Sequence, residues 1–463
     1  MDPTGVHFDL HVQVAIIGGG GCGLSAALAA GVGGTELIVI ERDASPLGTT
    51  AMSTGLIPAA GTRFQRQAGI SDSPELFAAD ILAKSQQRTD ATLVATLAKE
   101  SARTIEWLVD DHCLPLSLVD TFLYPGHSVM RMHGSPHRTG TELMAGLLAA
   151  CERAGVDIAS SALATELYAS TDGRICGVRI QRPDGAHESI ACEALILACC
   201  GFAGNRAMVE QYIPEIVDAD FFGHPGNKGD AIRWGRALGA EVRDMDAYQG
   251  HGGLAAGHGI PILWPLIVEG GIQVNALGQR FSDESLGYSE QAVKVVAQPG
   301  HAAWDIFDAR LHRLMLEFQD YRDALEARAV VSAASSALLA DHLGLPRAAL
   351  QTTLDEVADL VRTRQRCAFG RSFAARPVLA PPYFAVKVHG ALFHTQGGLA
   401  VDGHARVLRQ DGSALPNLFA AGGAARGVSG PGCSGYIAGN GLLTATTLGR
   451  IAGEQAAALV IKR

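Results

Sequence analysis

The most constraining feature of this chain is a short, mostly apolar run that ends in a glycine-rich turn. Residues 12–17 are dominated by Val, Ala and Ile, the composition of a strand buried on both faces of a parallel sheet. They run into Gly18-Gly19-Gly20-Gly21-Cys22-Gly23, and residues 24–30 then read as a helix. Gly18, Gly20 and Gly23 have the GxGxxG spacing of a dinucleotide fold. The first permits the tight turn, the second lets a pyrophosphate approach the backbone, and the third lets helix and strand pack closely. The phosphates then face free N–H groups at a helix N-terminus, where the dipole favours an anion. A second strand, residues 37–40, ends in Glu41, placed to accept both ribose hydroxyls. A glycine-rich turn in an unrelated α/β protein would leave the second strand and its terminal acid unexplained.

A length of 463 residues exceeds what one core usually supports, which predicts two domains. The net charge of -10 argues against nucleic acid or an anionic membrane as the main partner. Glycines collect at 18–23, 252–259, 397–398 and 422–441, places where backbone must approach something closely. The nine cysteines have no regular spacing, and Cys199 and Cys200 in an apolar run read as small buried core residues. None of the sixteen histidines forms an HExxH, and no paired CxxC exists, so no metal is expected. The N-terminal residues carry Asp2 and Asp9 and lack a signal-peptide pattern; with no integral membrane segment, the expected location is the cytoplasm.

Residues 42–55 resemble the segment after the second strand in the fumarate reductase/succinate dehydrogenase flavoprotein family. The likeness continues in order along nearly the whole chain. It takes in residues 194–205 (ALILACCGFAGN) and Gly226-Asn227-Lys228-Gly229-Asp230, a turn before a helix. It goes on through Gly270-Gly271-Ile272, Val274-Asn275 and Gly278-Gln279-Arg280-Phe281. The last third contributes Pro381-Pro382-Tyr383, His394-Thr395-Gln396-Gly397-Gly398 and Leu418-Phe419-Ala420-Ala421-Gly422. The resemblance implies an α/β fold: a Rossmann-like FAD-binding domain of the GR2 type built from both chain ends, with an inserted α+β capping domain. By motif position the parts are 1–247, 248–392 and 393–463. A proline-led amphipathic helix after Pro346, with Leu350, Leu354, Val357 and Val361 on one face, belongs to the cap.

The same resemblance implies the FAD contacts. In the N-terminal part they fall on Gly18, Gly20, Cys22, Gly23, Glu41, Arg42, Thr49, Thr50, Ser53 and Gly55. Further along they fall on Ala164, Gly201, Asn205 and Asp230. The C-terminal part adds His394, Gly422, Gly423, Asn440, Gly441, Leu442 and Leu443. Better-known members attach FAD covalently through a histidine where this chain has Thr49, so the FAD is expected to be non-covalent. Gly423 stands where many relatives have a glutamate reaching the ribityl chain.

Three family positions that hold the carboxylates of fumarate carry no cation here. The catalytic arginine, eight residues after Arg280, is Tyr288; the carboxylate-binding histidine is Phe393. The glycine-rich segment 430–441 contains no arginine at all. A dicarboxylate would lose most of its charge-assisted bonds. With Tyr288 and Tyr436, the pattern resembles the 3-ketosteroid dehydrogenase branch. That branch implies α-proton removal by Tyr288 and a ketone oxygen held by Tyr436 and the N–H of Gly439. Hydride would pass to flavin N5, and Tyr124, in Tyr124-Pro125-Gly126, is a candidate relay partner for Tyr288 on position alone. Asp283 and Glu284 are expected to fix the loop bearing Tyr288.

The leading expectation is therefore desaturation of the α,β carbon-carbon bond of a cyclic, steroid-like or cyclohexanone-like ketone, with an unidentified electron acceptor. A second is a fumarate-reductase-like reductase of an unsaturated acid or enone, with a cation such as Arg131 supplied from elsewhere. Arg131 and His133 read otherwise as exposed loop residues. A third is a non-catalytic flavin electron-transfer subunit.

Overall fold

A computed structural model describes residues 1–374 and 376–461, which fall into two units. The first comprises residues 1–208, 223–248 and 394–463, and the second residues 209–222 and 249–393.

The core of the first unit is an eight-stranded sheet. Its main path runs Arg406–Leu408, Ala414–Ala420, His187–Leu197, Leu10–Ile17, Leu37–Ile40 and Asp157–Ala159. The four pairings from Ala414–Ala420 to Asp157–Ala159 are all parallel. Val14, Ala15 and Ile16 are fully buried at the sheet centre, as a strand covered on both faces requires. The strand Ala414–Ala420 joins next to His187–Leu197, so both chain ends build one sheet. Every residue of the helix Gly21–Ala30 is buried, and it packs on the terminal helix Gly449–Ile461. The hairpin Leu163–Ala169 and Ile175–Gln181 extends the sheet antiparallel from His187–Leu197. A small sheet of Ile57–Pro58, Met132–Gly134 and Ser117–Val119 completes the unit.

The second unit has a seven-stranded sheet threaded by the long strand Tyr383–Thr395. Ala302–Asp308 and Val330–Ala333 pair antiparallel with that strand, and Asp220–Phe221 pairs parallel with it. This last pairing draws residues 209–222 into the second unit, although chain order groups them with the N-terminal part. The helix Arg347–Thr363, with Pro346 at its N-cap, buries Leu350, Leu354 and Val357. The strand before the first returning turn ends at Leu197. Cys199 and Cys200 are therefore half-buried turn residues; Cys199 packs against the core of the sheet, and Cys200 has a φ of 66°.

Candidate active site

The glycine turn was assembled for close approach. Gly18 donates to the Ile40 carbonyl at 2.9 Å, fixing the turn against the second strand. A Cβ on Gly23 would lie 1.8 Å from the Gly18 carbonyl oxygen, so only glycine fits there. A Cβ on Gly20 would meet nothing nearer than Thr50 Oγ1 at 3.7 Å, so the space in front of this residue is open. The N–H groups of Gly20 and Cys22 have no acceptor among the described residues. Open space, unpaired donors and a helix N-terminus together fit a pyrophosphate. Glu41 is buried, and its two carboxylate oxygens accept from Gly19 (2.7 Å) and Asp43 (2.9 Å). Each oxygen retains a lone pair for a ribose hydroxyl. Gly23→Ala is accordingly expected to abolish retention of FAD through gel filtration, read from the flavin absorbance of the protein peak.

The hydroxyl residues that follow are tied into the same wall. Thr50 Oγ1 accepts from Gly21 N–H at 3.1 Å. Thr49 Oγ1 accepts from the His224 N–H (3.1 Å) and Asn227 Nδ2 (2.9 Å). Ser53 Oγ donates to the Thr50 carbonyl and accepts from Gly55. Arg42 donates to the Gly226 carbonyl at 3.1 Å. Gly201 and Gly423 pack against each other, a Cβ on Gly423 lying 3.0 Å from the Gly201 nitrogen, and Gly422 packs on Cys22. Asn205 and Asp230 flank the helix turns at Arg206–Tyr212 and Asp230–Ala237, and Ala164 lies in the hairpin strand opposite Ile180.

Asn440 is fully buried, and its Oδ1 has no partner among the described residues. An orphaned buried acceptor at this place fits a donor on a bound cofactor. Leu442 and Leu443 continue the same turn, and Leu443 is fully buried. His394 Nδ1 lies 3.2 Å from Gln396 Nε2, and burial lowers its pKa to about 4. Gln396, which sequence reasoning named only as part of a motif, also accepts from Ser429 Oγ at 3.0 Å. Tyr436 is buried beside His394, with ring centroids 5.7 Å apart, and its hydroxyl accepts from the Gly441 N–H at 3.3 Å. Burial pushes the Tyr436 phenol well above its ordinary range, so it remains a protonated donor. Gly439 sits beside it in the left-handed region, with φ 82°. Tyr124, in this same unit, packs its ring on Phe122 at 4.4 Å.

Tyr288 belongs to the second unit. It opens the helix Tyr288–Val296 directly after Gly287. Its ring stacks on His251 with centroids 5.1 Å apart and planes at 27°. His251 stacks in turn on Phe393 at 5.0 Å, and Trp264 meets both His251 and Tyr288 edge-on. His251 Nδ1 accepts from the Gly253 N–H at 3.1 Å, which leaves the proton on Nε2. Burial lowers the His251 pKa to about 3, so the ring is a neutral donor. Trp264 is buried, and its Nε1 has no acceptor among the described residues. Trp264 falls in the apolar cap stretch 264–267 that, with Phe393, suits an apolar pocket, whereas His251 is not marked as a site residue by the sequence. The local signal is a histidine set between Gly250 and Gly252, at the edge of the glycine cluster 252–259.

Behind this aromatic wall Glu284 is buried with Arg280 at 2.5 Å and Arg371 at 3.2 Å. Burial opposes its charge, but the two guanidinium groups hold its pKa below the ordinary value. Asp283 caps the turn Glu284–Leu286 through Ser285, so both acids do hold the segment before Tyr288.

Arg131 and His133 are not exposed loop residues. Arg131 donates from Nε and Nη2 to Asp72 (3.0 and 2.9 Å) and from Nη1 to Asp80 (2.6 Å), with its side chain fully buried. A guanidinium neutralised by two carboxylates has no fork left for a substrate carboxylate. His133 is also buried, 3.0 Å from Thr62 Oγ1, and burial lowers its pKa to about 4.

A family model described as an FAD binding domain matches residues 13–441. The probable fumarate reductase Ifc3 of Shewanella frigidimarina (strain NCIMB 400) is 30% identical, covering 96% of this chain and 74% of that protein. The urocanate reductase of Eggerthella lenta is 26% identical over 99% of this chain and 76% of its own length. Among solved structures, the open conformation of a flavocytochrome c3 fumarate reductase matches with a TM-score of 0.82 and 27% identity, over 98% of this chain and 79% of that one. A 3-ketosteroid-Δ4-(5α)-dehydrogenase from Rhodococcus jostii RHA1 matches at a TM-score of 0.76 but only 23% identity, covering 98% of each chain, which is a likeness of fold alone. These comparisons correct the branch expected from the two tyrosines. The nearer likeness is to fumarate reductases, and a pair of tyrosines does not carry an assignment to the ketosteroid dehydrogenases. No helix among the described residues is long and apolar enough to cross a membrane.

Proposed function

We propose a specific reaction for a chain that belongs to the FAD-binding-domain family of the fumarate reductases and is an FAD-dependent oxidoreductase acting on CH–CH groups. The reaction is reduction of the carbon-carbon double bond of an α,β-unsaturated acid or ketone that carries a single activating carbonyl group. The observation behind the restriction to one carbonyl is the uncharged wall of His251, Tyr288, Phe393 and Trp264. The relatives named above reduce unsaturated acids, fumarate and urocanate, which supports the direction.

FAD, when bound, supplies the electron pair as hydride. The residues of this chain do the rest. Tyr436 and the Gly439 N–H hold the carbonyl oxygen, where negative charge grows as the β-carbon is reduced. Two neutral donors that strengthen with that charge contribute about 1.5–3 kcal/mol each. Tyr288 gives a proton to the α-carbon. Phe393 and Trp264 add apolar surface to the wall that carries Tyr288. Thr49, lacking the nucleophilic nitrogen of a histidine, leaves the cofactor dissociable.

A second carboxylate set against these four rings would meet no charge on any of them, at a cost of several kcal/mol. The discriminating experiment is anaerobic stopped-flow reoxidation of dithionite-reduced enzyme by crotonate, 2-cyclohexenone and fumarate. One of the single-carbonyl acceptors is expected to exceed fumarate by at least about 100-fold in the second-order rate, which corresponds to about 3 kcal/mol. Fumarate as the fastest of the three would overturn the reading.

A further inference from the structure

The peptide that carries the Gly439 N–H is fastened from its buried side. His127 is itself buried, and its Nε2 lies 3.0 Å from the Ala438 carbonyl oxygen. A carbonyl only accepts, so Nε2 carries the proton and Nδ1 is a free acceptor. Arg131 Nη1 lies 3.5 Å from that Nδ1. Arg131 is locked in turn by Asp72 and Asp80, and Asp80 also accepts from the Ser128 backbone N–H at 2.8 Å and from the Ser128 hydroxyl. The imidazole ring packs 5.9 Å from the Phe77 ring, and the Arg131 guanidinium covers the Phe77 ring at 4.5 Å. Two carboxylates, one guanidinium and one imidazole therefore end on a single peptide oxygen.

Geometry decides what that does to the other end of the peptide. In a trans peptide the C=O and N–H point in opposite directions. With the Ala438 oxygen drawn inward to His127, the Gly439 N–H is aimed away from the buried side. That N–H has no acceptor among the described residues, and Gly439 is half-exposed while Ala438 is buried. A side chain at Gly439 would crowd Pro58, its Cβ lying 2.6 Å from Pro58 Cδ, so the peptide cannot turn over to accommodate one. A hydrogen bond received by the carbonyl also polarises the peptide and makes its N–H a stronger donor.

We infer that His127, set by Arg131 and the Asp72 and Asp80 pair, is a positioning residue that orients and polarises the Ala438–Gly439 peptide toward the substrate oxygen. The inference rests on the proposed role of the Gly439 N–H. The neutral state of His127, its pKa lowered to about 4 by burial and by Arg131, is consistent with lasting donation through Nε2.

The test uses the FAD-loaded, oxidised enzyme and para-substituted phenols of graded acidity as probes, with Kd read from perturbation of the flavin spectrum. A phenolate places an oxygen of tunable charge against the donors that would hold the substrate oxygen. In the wild type, affinity is expected to depend on the acidity of the phenol. His127→Phe, which keeps the ring against Phe77, or His127→Leu should change that dependence. Their loss of affinity should be at least about tenfold for the probe most sensitive to donor strength and slight for the least sensitive. His127→Gln, which retains an N–H near the Nε2 position, should restore most of it. Equal loss for every phenol, or no loss, would overturn the role of His127 and leave the reading of Gly439 standing. Absence of phenol binding to the wild type would overturn that reading, and the inference with it. If His127→Gln holds FAD while neither apolar variant does, the residue is structural only and the inference falls.

Discussion

Replacing Tyr288 by phenylalanine is expected to slow reoxidation of the reduced flavin by the enzyme's best acceptor by about 10²–10⁴-fold, the usual contribution of one positioned general acid. The substitution removes a single oxygen. The ring remains, and with it the stacking on His251 and the edge contact with Trp264. Loss of FAD or of folding is therefore not the expected phenotype. The start of the helix Tyr288–Val296 is also held independently, by Ser289 Oγ accepting from the Gly250 N–H at 2.9 Å. Reduction of the flavin by dithionite needs no proton on a substrate carbon and should proceed at the wild-type rate. Stopped-flow measurement of both half-reactions separates the two. A solvent isotope effect on reoxidation that is present in the wild type and changed in Tyr288→Phe would assign the proton to this hydroxyl. A fall of less than about fivefold, with both half-reactions otherwise intact, would remove Tyr288 from the role of acid.

The parts of this molecule that were legible in the sequence are those whose signal is local. The strand Leu37–Ile40 and the turn at Gly18 to Gly23 follow from composition and spacing within a few tens of residues, and the α/β class follows from them. The C-terminal strand Ala414–Ala420 was reached only through the order of family motifs, because nothing within it says that it pairs with His187–Leu197. Arg131 was misplaced on the surface for the same reason. Its burial depends on Asp72 and Asp80, 59 and 51 residues away, and no local pattern announces an ion triad. The apolar run continues past Leu197, but the backbone turns there, which leaves Cys199 packed on the core only in part and Cys200 in the turn. His251 was hidden by its own glycines. The cluster 252–259 reads as backbone making room, and His251 stands just before it, flanked by Gly250 and Gly252. The branch assignment failed differently: two tyrosines at matching positions are few residues, and the rest of the sequence lies nearer to the fumarate reductases.

The polar layer behind the aromatic wall carries the other large effect. Asp305, on the strand Ala302–Asp308, is buried, and its Oδ1 accepts from Gln273 Nε2 at 2.8 Å. Its Oδ2 has no partner among the described residues. Burial pushes its pKa up to about 8; the Gln273 hydrogen bond opposes the shift and the Glu284 charge adds to it. Folding therefore takes up a proton wherever the unfolded chain, with an ordinary carboxyl near 3.9, would be ionised. The sign follows. Asp305 costs nothing below about pH 4, its cost grows as pH rises by about 1.4 kcal/mol per unit, and it levels off above about pH 8. Asp305→Asn keeps an acceptor for Gln273 and cannot ionise. The stability advantage of this variant over the wild type should widen between pH 5 and 8, by about 4 kcal/mol at most. Urea denaturation of the FAD-loaded proteins at pH 5, 6, 7 and 8 measures it directly. A constant difference across that range would show that Asp305 does not titrate there. The consequence reaches the site, because Gln273 also donates to the Gly252 carbonyl at 2.8 Å and accepts from Gln291 Nε2 at 2.8 Å. One of these neighbours adjoins His251 in the chain, and the other lies in the same helix as Tyr288. Ionising Asp305 would place a second negative charge near Glu284 and pull on the amide that ties those two segments together. Loss of turnover above pH 8 in the wild type, absent in Asp305→Asn, is the activity counterpart of the stability result. An alkaline limb that persists unchanged in the variant would confine the effect of Asp305 to folding.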